Sequence, residues 1–281
     1  MLIAACAAAQ GAPLEAYGQL PTLDNLAISP EGTRIAYGTT IQNERVVGVR
    51  SIIDGKVLGV MKTGSQKLRD IRWASEDILV ITLSVTHSPI GATGARSEFF
   101  MSQTYDLRTH RIKQVLGKVD NAMNVVLSLP QVRMLGGKPY LFVVGMDFID
   151  FQGTPALFLV DLERGKTTLS QQGNRRSVDW DIDGNGTVFA RSEYDRDTKS
   201  WRLKLQHGGE WHEVFSTPAE IETPLVAGMG PDGHSVILMV PNNGEWTEKH
   251  IDLANFAAMP PIGMTSTFSG TLFEPLTERI I

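Results

Sequence analysis

The sequence has 281 residues, of which 42% are hydrophobic and 20% are charged, as in soluble globular proteins and unlike disordered or fibrous chains. Its formal net charge of −5 leaves no basic excess for phosphate backbones, so we expect no nucleic-acid partner. Cys6 is the single cysteine, which excludes a framework of disulfides.

Residues 1–12, MLIAACAAAQGA, are small and apolar. They resemble the apolar core and small-residue cleavage zone of a secretory signal peptide, with cleavage near Ala9 or Gly11. An apolar first helix is the alternative, and residues 3–6 also fit a lipoprotein acylation box. No later stretch is long and apolar enough to span a bilayer, so we expect no membrane span. The signal-peptide pattern predicts export, to the periplasm.

Runs rich in β-branched and aromatic residues follow, separated by turn signals, which predicts strands. In chain order they are TRIAYGTT, DILVITLSV, PYLFVVGM, ALFLVDL, TVFARSEY and SVILMVP. No stretch keeps a helical period over three turns, and residues 252–259 come nearest but are too short to decide. The sequence therefore predicts an all-β protein.

A strand that ends in a polar turn and a short return strand recurs along the chain. The turns are anchored at Asp54, Asp106, Asp161, His207 and Asp252, with spacings of 52, 55, 46 and 45 residues. This period is the length of one four-stranded propeller blade. A β-sandwich is the alternative, but it would need an unusual number of strands for one domain.

A second pattern, two strands around a polar turn, opens several of these units. Its examples are LAISPEGTRIAY, IRWASEDILVI, VDWDIDGNGTVFA and VAGMGPDGHSVIL. Within the third example, DIDGNG at 181–186 also matches the first half of a calcium-binding EF-hand loop. Position twelve of that loop is Ser192 instead of Glu, and the flanking residues are β-prone. We therefore predict a hairpin turn at 181–186, and no metal site.

Five units fit between residues 23 and 263, and SGTLFEPLTERII at 269–281 begins a sixth. The predicted fold is a β-propeller of four-stranded blades with about five and a half blades present. We expect it to occupy residues 13–281, after a signal peptide at 1–12. An open ring would leave unpaired strand edges, so we expect this propeller to be incomplete.

The stretch PLEAYGQLPTLDNLAISPEGTRIAY, with the turns SPEG at 29–32 and GPDG at 230–233, resembles the N-terminal propeller of the prolyl oligopeptidase family of serine peptidases. Exported dipeptidyl-peptidases and acylaminoacyl-peptidases look nearest, and lasso-peptide isopeptidases are a further branch. The resemblance covers about residues 14–281, and TolB-type propellers share these turns. It implies a ring of seven or eight blades followed by an α/β-hydrolase domain with a Ser, Asp and His triad.

No catalytic residue is assigned in this chain, because it has no Gly-x-Ser-x-Gly nucleophile elbow. The histidines fall in or beside predicted turns and strand ends, without the context of a general base: His87, His110, His207, His212, His234 and His250. The resemblance implies that a peptide substrate is filtered here and cut in the missing hydrolase domain. A stand-alone periplasmic, TolB-like propeller that binds proteins or ligands is the alternative.

Arg191 is the one candidate for substrate binding, since a guanidinium in the axial channel would meet a substrate carboxylate. An ion pair with Glu193, Asp195 or Asp197 is the alternative. The Gly-rich stretch at 90–98 lacks the Gly-Lys-Ser/Thr ending of a phosphate loop, so we interpret it as a loop between strands. No cofactor is predicted.

The tryptophans could line a peptide-binding funnel, or they could pack between blades. They are Trp73, Trp180, Trp201, Trp211 and Trp246.

Overall fold

The computed structural model describes residues 22–88, 95–150 and 152–260, and within these ranges it contains β-strands and no helix. The all-β prediction is confirmed. The predicted signal peptide at 1–12 and the sixth unit at 269–281 lie outside the described residues.

Five antiparallel groups of four strands follow one another along the chain, and we call them blades 1 to 5. Blade 1 contains β1 (Leu23–Ile28), β2 (Arg34–Ile41), β3 (Glu44–Ser51) and β4 (Val57–Lys62). Blade 2 contains β5 (Lys67–Trp73), β6 (Ile78–His87), β7 (Ser97–Asp106) and β8 (Arg111–Gln114). Blade 3 contains β10 (Gln131–Leu135), β11 (Lys138–Ile149), β12 (Gln152–Asp161) and β13 (Lys166–Gln172).

Blade 4 contains β14 (Ser177–Ile182), β15 (Val188–Asp195), β16 (Ser200–His207) and β17 (Glu210–Pro218). Blade 5 contains β18 (Leu225–Met229), β19 (Ser235–Asn242), β20 (Glu245–Asp252) and β21 (Ala258–Met259). The one strand outside this scheme is β9 (Ala122–Val126), which pairs with both β7 and β11. It joins blades 2 and 3 into a single nine-stranded sheet.

The recurring aspartates close the turn between the third and fourth strands. Asp161 is typical, because its Oδ1 accepts hydrogen bonds from the backbone N–H groups of Glu163 at 3.0 Å and Arg164 at 2.9 Å. Asp106 and Asp252 accept bonds from the residues two and three positions on in the same way. A short acceptor side chain bonded to its own backbone stabilises a tight turn.

The hydrophobic core is divided into four clusters, and each cluster lies between two successive blades. Buried members of the four clusters, one from each of the two blades, are Val49 and Leu79, Val80 and Leu141, Leu157 and Trp180, and Leu203 and Leu238. Sheets stacked face to face in chain order are the architecture of a β-propeller. The sheets do not close into a ring within the part of the chain that the structure describes.

Hydrogen bonds from side chains to backbone link the first strands of neighbouring blades. Trp73 donates from Nε1 to the carbonyl of Ala27 at 3.0 Å, which joins β5 to β1. Arg72 donates from Nη1 to the carbonyl of Pro130 at 3.3 Å, beside β10. The first strands therefore lie next to one another on the inside of the stack.

The link between blades 3 and 4 is the most extensive of these. Arg133 is 1% exposed, and its Nε donates to the carbonyls of Ile182 at 3.2 Å and Asp183 at 2.9 Å. Gln131 donates from Nε2 to the carbonyl of Trp180 at 2.6 Å. Two side chains of β10 thus follow the backbone of β14 along its length.

Candidate functional site

An open cleft of about 1420 Å³ lies at one end of blades 3, 4 and 5. Its walls come from the start of β12, the β13–β14 connection, β14 itself, the β15–β16 turn and the residues that lead into β18. Connections between strands carry many binding sites in proteins, because a rigid scaffold positions them while their side chains stay accessible. The cleft is therefore the candidate functional site.

Alternation along β14 divides its side chains between the cleft and the core. Trp180 and Ile182 are buried in the cluster between blades 3 and 4, whereas Asp179 and Asp181 line the cleft. Val178 also lines the cleft, at the irregularity in pairing between Ser177 and Asp179. Successive residues of a strand face opposite sides, which explains the division. Asp179 is held in place by Ser128, whose Oγ donates to Oδ1 at 2.9 Å.

Two hydroxyl groups reach the cleft from β15. Tyr194 donates from its hydroxyl to the carbonyl of Ala219 at 3.0 Å. Ser192 is only 5% exposed, and no hydrogen bond from the described residues engages its hydroxyl. Its oxygen is not among the described buried polar atoms without a partner, so the Ser192 hydroxyl is an accessible polar group that lines the cleft.

Two arginines on the β13–β14 connection line the cleft and already have partners. Arg176 forms an ion pair with Asp195, with Nε 2.9 Å from Oδ2. The backbone N–H groups of Thr198 and Asp197, with the Arg176 charge, outweigh burial and hold the pKa of Asp195 below its ordinary value. Arg175 donates from Nη2 to the side-chain carbonyl of Gln152 at 3.0 Å.

Arg196, in the β15–β16 turn, is exposed and lines the same cleft. Within the described ranges no carboxylate or hydrogen-bond acceptor pairs with its guanidinium. Asp197 follows it and also lines the cleft. Apolar side chains also line it: Leu127, Met146, Pro155, Val178, Trp201, Pro224, Leu225 and Val226. An apolar surface that also carries hydroxyl groups and charged groups of both signs can bind a short peptide.

Arg191 lies elsewhere, outside the residues that line the cleft. It is 8% exposed, and its Nη2 lies 2.8 Å from Oε1 of Glu193. Its guanidinium also stacks over the ring of Trp211, 4.7 Å from the centroid. The ion pair with Glu193 is thus the arrangement that the sequence offered as the alternative. A role for Arg191 in substrate binding stays a prediction.

The tryptophans are divided between core and surface. Trp73, Trp180 and Trp201 are 6%, 0% and 2% exposed and belong to three different interblade clusters. Trp211 packs against the edge of one cluster, and Trp246 is 45% exposed. Packing between blades accounts for the first three, and of the five only Trp201 also lines the cleft.

DIDGNG forms the turn between β14 and β15, so the predicted hairpin is confirmed. Asp183 accepts hydrogen bonds at Oδ1 from the N–H groups of Asn185 at 2.9 Å and Thr187 at 2.7 Å. Gly186 has a φ of +84°, in the region that favours glycine. No group of three or more His, Cys, Asp or Glu side chains among the described residues could hold a metal ion.

His250 differs from the other five histidines, and nothing in the sequence distinguishes it. It is 1% exposed, and its Nε2 contacts a carboxylate oxygen of Glu248.

The Gly-rich stretch at 90–98 lies mostly outside the described residues. The described ranges also contain no helix that could span a bilayer.

The sequence interpretation named none of Ser192, Arg196 and Asp179 as a candidate site residue. A usable signal was present in YDRDTKS, where Arg196 stands in the turn between the second and third strands of a unit. Turns of this class lie together at one end of a propeller.

No protein-family model matches the sequence, and no curated protein matches it. Among solved structures, the chain is similar to TolB from Acinetobacter baumannii, with 12% identity and a TM-score of 0.44. It is also similar to the acylaminoacyl peptidase of Pyrococcus horikoshii, with 15% identity and a TM-score of 0.48. A third similar structure is the AtxE2 isopeptidase, with 14% identity and a TM-score of 0.34.

These similarities cover 82%, 82% and 84% of this chain, which spans 52%, 38% and 39% of the three structures. Both kinds of protein that the sequence resembles, peptidases and TolB, are among them. At such low identity the propeller assignment rests on the strand pairing and the interblade clusters, and not on these similarities.

Proposed function

We propose that this chain is the substrate-filtering propeller of an exported serine peptidase of the prolyl oligopeptidase family. In this proposal a signal peptide at residues 1–12 directs export to the periplasm. The cleft between blades 3, 4 and 5 admits short or unfolded peptides, and a hydrolase domain that these 281 residues do not include cuts them. The observation that carries the proposal is the cleft itself, with its apolar lining and its free hydroxyl and guanidinium groups.

The filtering would work through size and backbone hydrogen bonding. An extended peptide has unpaired N–H and C=O groups that need partners when it leaves water. The cleft supplies polar side chains beside apolar surface, so it can hold such a chain. A folded protein presents few free backbone groups and would not enter.

Peptide binding to the purified chain tests the proposal. We expect the tetrapeptide Leu-Ala-Ala-Phe to bind, as measured by calorimetric titration, and to raise the melting temperature through mass action. Val178→Trp should weaken binding, because Val178 is 43% exposed and lines the cleft. Ile53→Trp is the matched control, since Ile53 is 81% exposed and lies outside the cleft. Equal binding by the two variants would contradict the proposed location.

The chain alone should not hydrolyse peptides or esters, because it has no Gly-x-Ser-x-Gly nucleophile elbow. Aminoacyl and dipeptidyl chromogenic substrates provide the assay. Turnover that survives repurification in constant proportion to the chain would show that a catalytic group has been overlooked.

A stand-alone periplasmic, TolB-like propeller that holds protein partners is the second candidate. Exposed apolar side chains on blade 1 favour it, since Ile28 is 63% and Val60 is 48% exposed, and apolar patches mark interaction surfaces. Binding of a folded partner that Val178→Trp leaves intact, with no binding of the tetrapeptide, would favour this candidate.

A further inference from the structure

The three guanidinium groups in the cleft differ in whether they are free to bind an anion. Arg176 is neutralised by Asp195, and Arg175 is bonded to Gln152. Arg196 has neither an ion pair nor a hydrogen bond to any described residue, although Asp197 is its neighbour in the chain. The cationic group that remains for a ligand is therefore the Arg196 side chain.

A second free group lies on β15, four residues before Arg196. Ser192 is 5% exposed, and its hydroxyl has no partner among the described residues. A strand rises by about 3.3 Å per residue, so the Cα atoms of Ser192 and Arg196 lie about 13 Å apart. An extended ligand covers that distance with about four residues.

The cleft sets the direction in which a peptide can lie. Asp179 and Asp181 line it from β14, and Asp179 is directly opposite Ser192 in the pairing of β14 with β15. The Ser192 hydroxyl can both donate and accept a hydrogen bond, which suits a backbone group of a bound peptide. At the exposed end of the cleft, the Arg196 guanidinium can donate two parallel hydrogen bonds to a carboxylate.

We infer that the cleft selects peptides by their free C-terminal carboxylate, which binds Arg196 at the rim while the chain extends inward to the Ser192 hydroxyl. This inference rests on the proposed peptide-binding function and names the end of the peptide that is recognised. Ser192 bonds a backbone group of the bound peptide, which satisfies its free hydroxyl. Peptides of about four residues span both groups.

The test compares Leu-Ala-Ala-Phe as the free acid with the same peptide as its C-terminal amide, by calorimetric titration of the purified chain. The acid should bind about tenfold more tightly, which is the usual strength of a hydrogen bond to a charged group. Arg196→Gln should remove this preference, so that the acid and the amide bind with equal affinity. Arg196→Lys should keep part of it, and salt should reduce it by screening.

Arg111→Gln is the matched control, because Arg111 is exposed, has no ion pair among the described residues and lies outside the cleft. Its acid preference should equal that of the unmodified chain. Ser192→Ala should weaken binding of the tetrapeptide and leave a dipeptide acid unaffected, since a dipeptide at Arg196 does not reach Ser192.

The outcomes separate this inference from the proposed function. Equal binding of acid and amide, or an acid preference that Arg196→Gln retains, overturns the inference while peptide binding in the cleft stands. No binding of either peptide overturns both.

Discussion

Glu193 is a buried anion of blade 4 that pairs with two cations, Arg191 and Lys204. It is 3% exposed and lies 2.8 Å from Nη2 of Arg191 and 3.1 Å from Nζ of Lys204. Asn174 donates a further hydrogen bond at 2.9 Å. Burial raises the pKa of this carboxyl, but the Asn174 and Lys204 bonds and the two positive charges outweigh it, so the pKa is lowered.

Replacing the anion should destabilise the protein. Glu193→Gln leaves the buried Arg191 and the partly exposed Lys204 without this counter-charge, and breaking a buried pair costs about 3 kcal/mol. Chemical denaturation at pH 7 measures the loss. Glu213→Gln is the control, since Glu213 is 45% exposed and lies 3.9 Å from Arg202. It should cost under about 1 kcal/mol.

The pH dependence of the Glu193→Gln effect follows from the lowered pKa. A carboxyl with a depressed folded-state pKa stabilises the protein above its unfolded pKa, and this contribution is lost as pH falls through the folded value. The difference between the two proteins should therefore be full near neutrality and should shrink below the ordinary Glu value of 4.5. If the difference in unfolding free energy between the two proteins is constant from pH 7 to pH 3, the effect of Glu193→Gln comes from altered packing and not from the lost charge.

Gly186 determines the geometry of the β14–β15 turn for two separate reasons. Its φ of +84° strains any other residue, and a Cβ at this position would lie 2.9 Å from Cδ1 of Leu135 in blade 3. Backbone strain and overpacking together should make Gly186→Ala cost about 3 kcal/mol in unfolding free energy.

Gly208 is the matched control for that substitution. It has a φ of +61° in the β16–β17 turn, but a Cβ there would meet no atom within 4 Å. Gly208→Ala should thus show the backbone cost alone, about 1 kcal/mol. If the two variants lose equal stability, the contact with Leu135 has no energetic role.

Turns and strands could be predicted where the residues that determine them lie within the same segment. Strands that depend on partners elsewhere in the chain could not. All five anchors mark real turns between third and fourth strands. At the four aspartate anchors the side chain bonds its own backbone and needs no distant partner. The first strand of blade 3 was missed, since its turn is Gly136-Gly137 and carries no aspartate. The strand β9 was missed because its partners, β7 and β11, lie outside its own segment.

At the scale of the whole molecule, stability depends on the interfaces between blades. In stacked repeats the free energy is approximately a sum of the repeats and of their nearest-neighbour contacts. Blades 3 and 4 share a buried cluster and the bonds of Arg133. Weakening this interface should therefore make the unfolding of blades 1 to 3 less coupled to the unfolding of blades 4 and 5.

Arg133→Met tests this expectation. It removes the donor from the buried carbonyls of Ile182 and Asp183 and should cost about 3 kcal/mol. In scanning calorimetry the single transition should broaden or split. Arg164→Met is the control, because the Arg164 side chain is 74% exposed, and it should change stability by less than about 0.5 kcal/mol. A sharp single transition for Arg133→Met would mean that other contacts maintain the coupling.

The cleft could not be predicted from the sequence, because it exists only after three blades are stacked. Arg196 and Ser192 belong to blade 4, while Leu127 and Leu225 come from residues far away in the chain. The sequence singled out Arg191 from the same strand, but a difference of one position decides which face of a strand a side chain occupies.

The links between first strands use a side-chain donor in one blade and a backbone carbonyl in the next, as from Trp73 to Ala27 and from Gln131 to Trp180. Every amino acid carries a carbonyl, so a substitution at the acceptor position leaves the bond in place. Each blade can therefore accumulate mutations on its acceptor side without a compensating change in its neighbour. The residues at the two ends of these links should therefore covary weakly in evolution. The backbone of a duplicated or exchanged blade would supply the same acceptor carbonyls whatever its sequence.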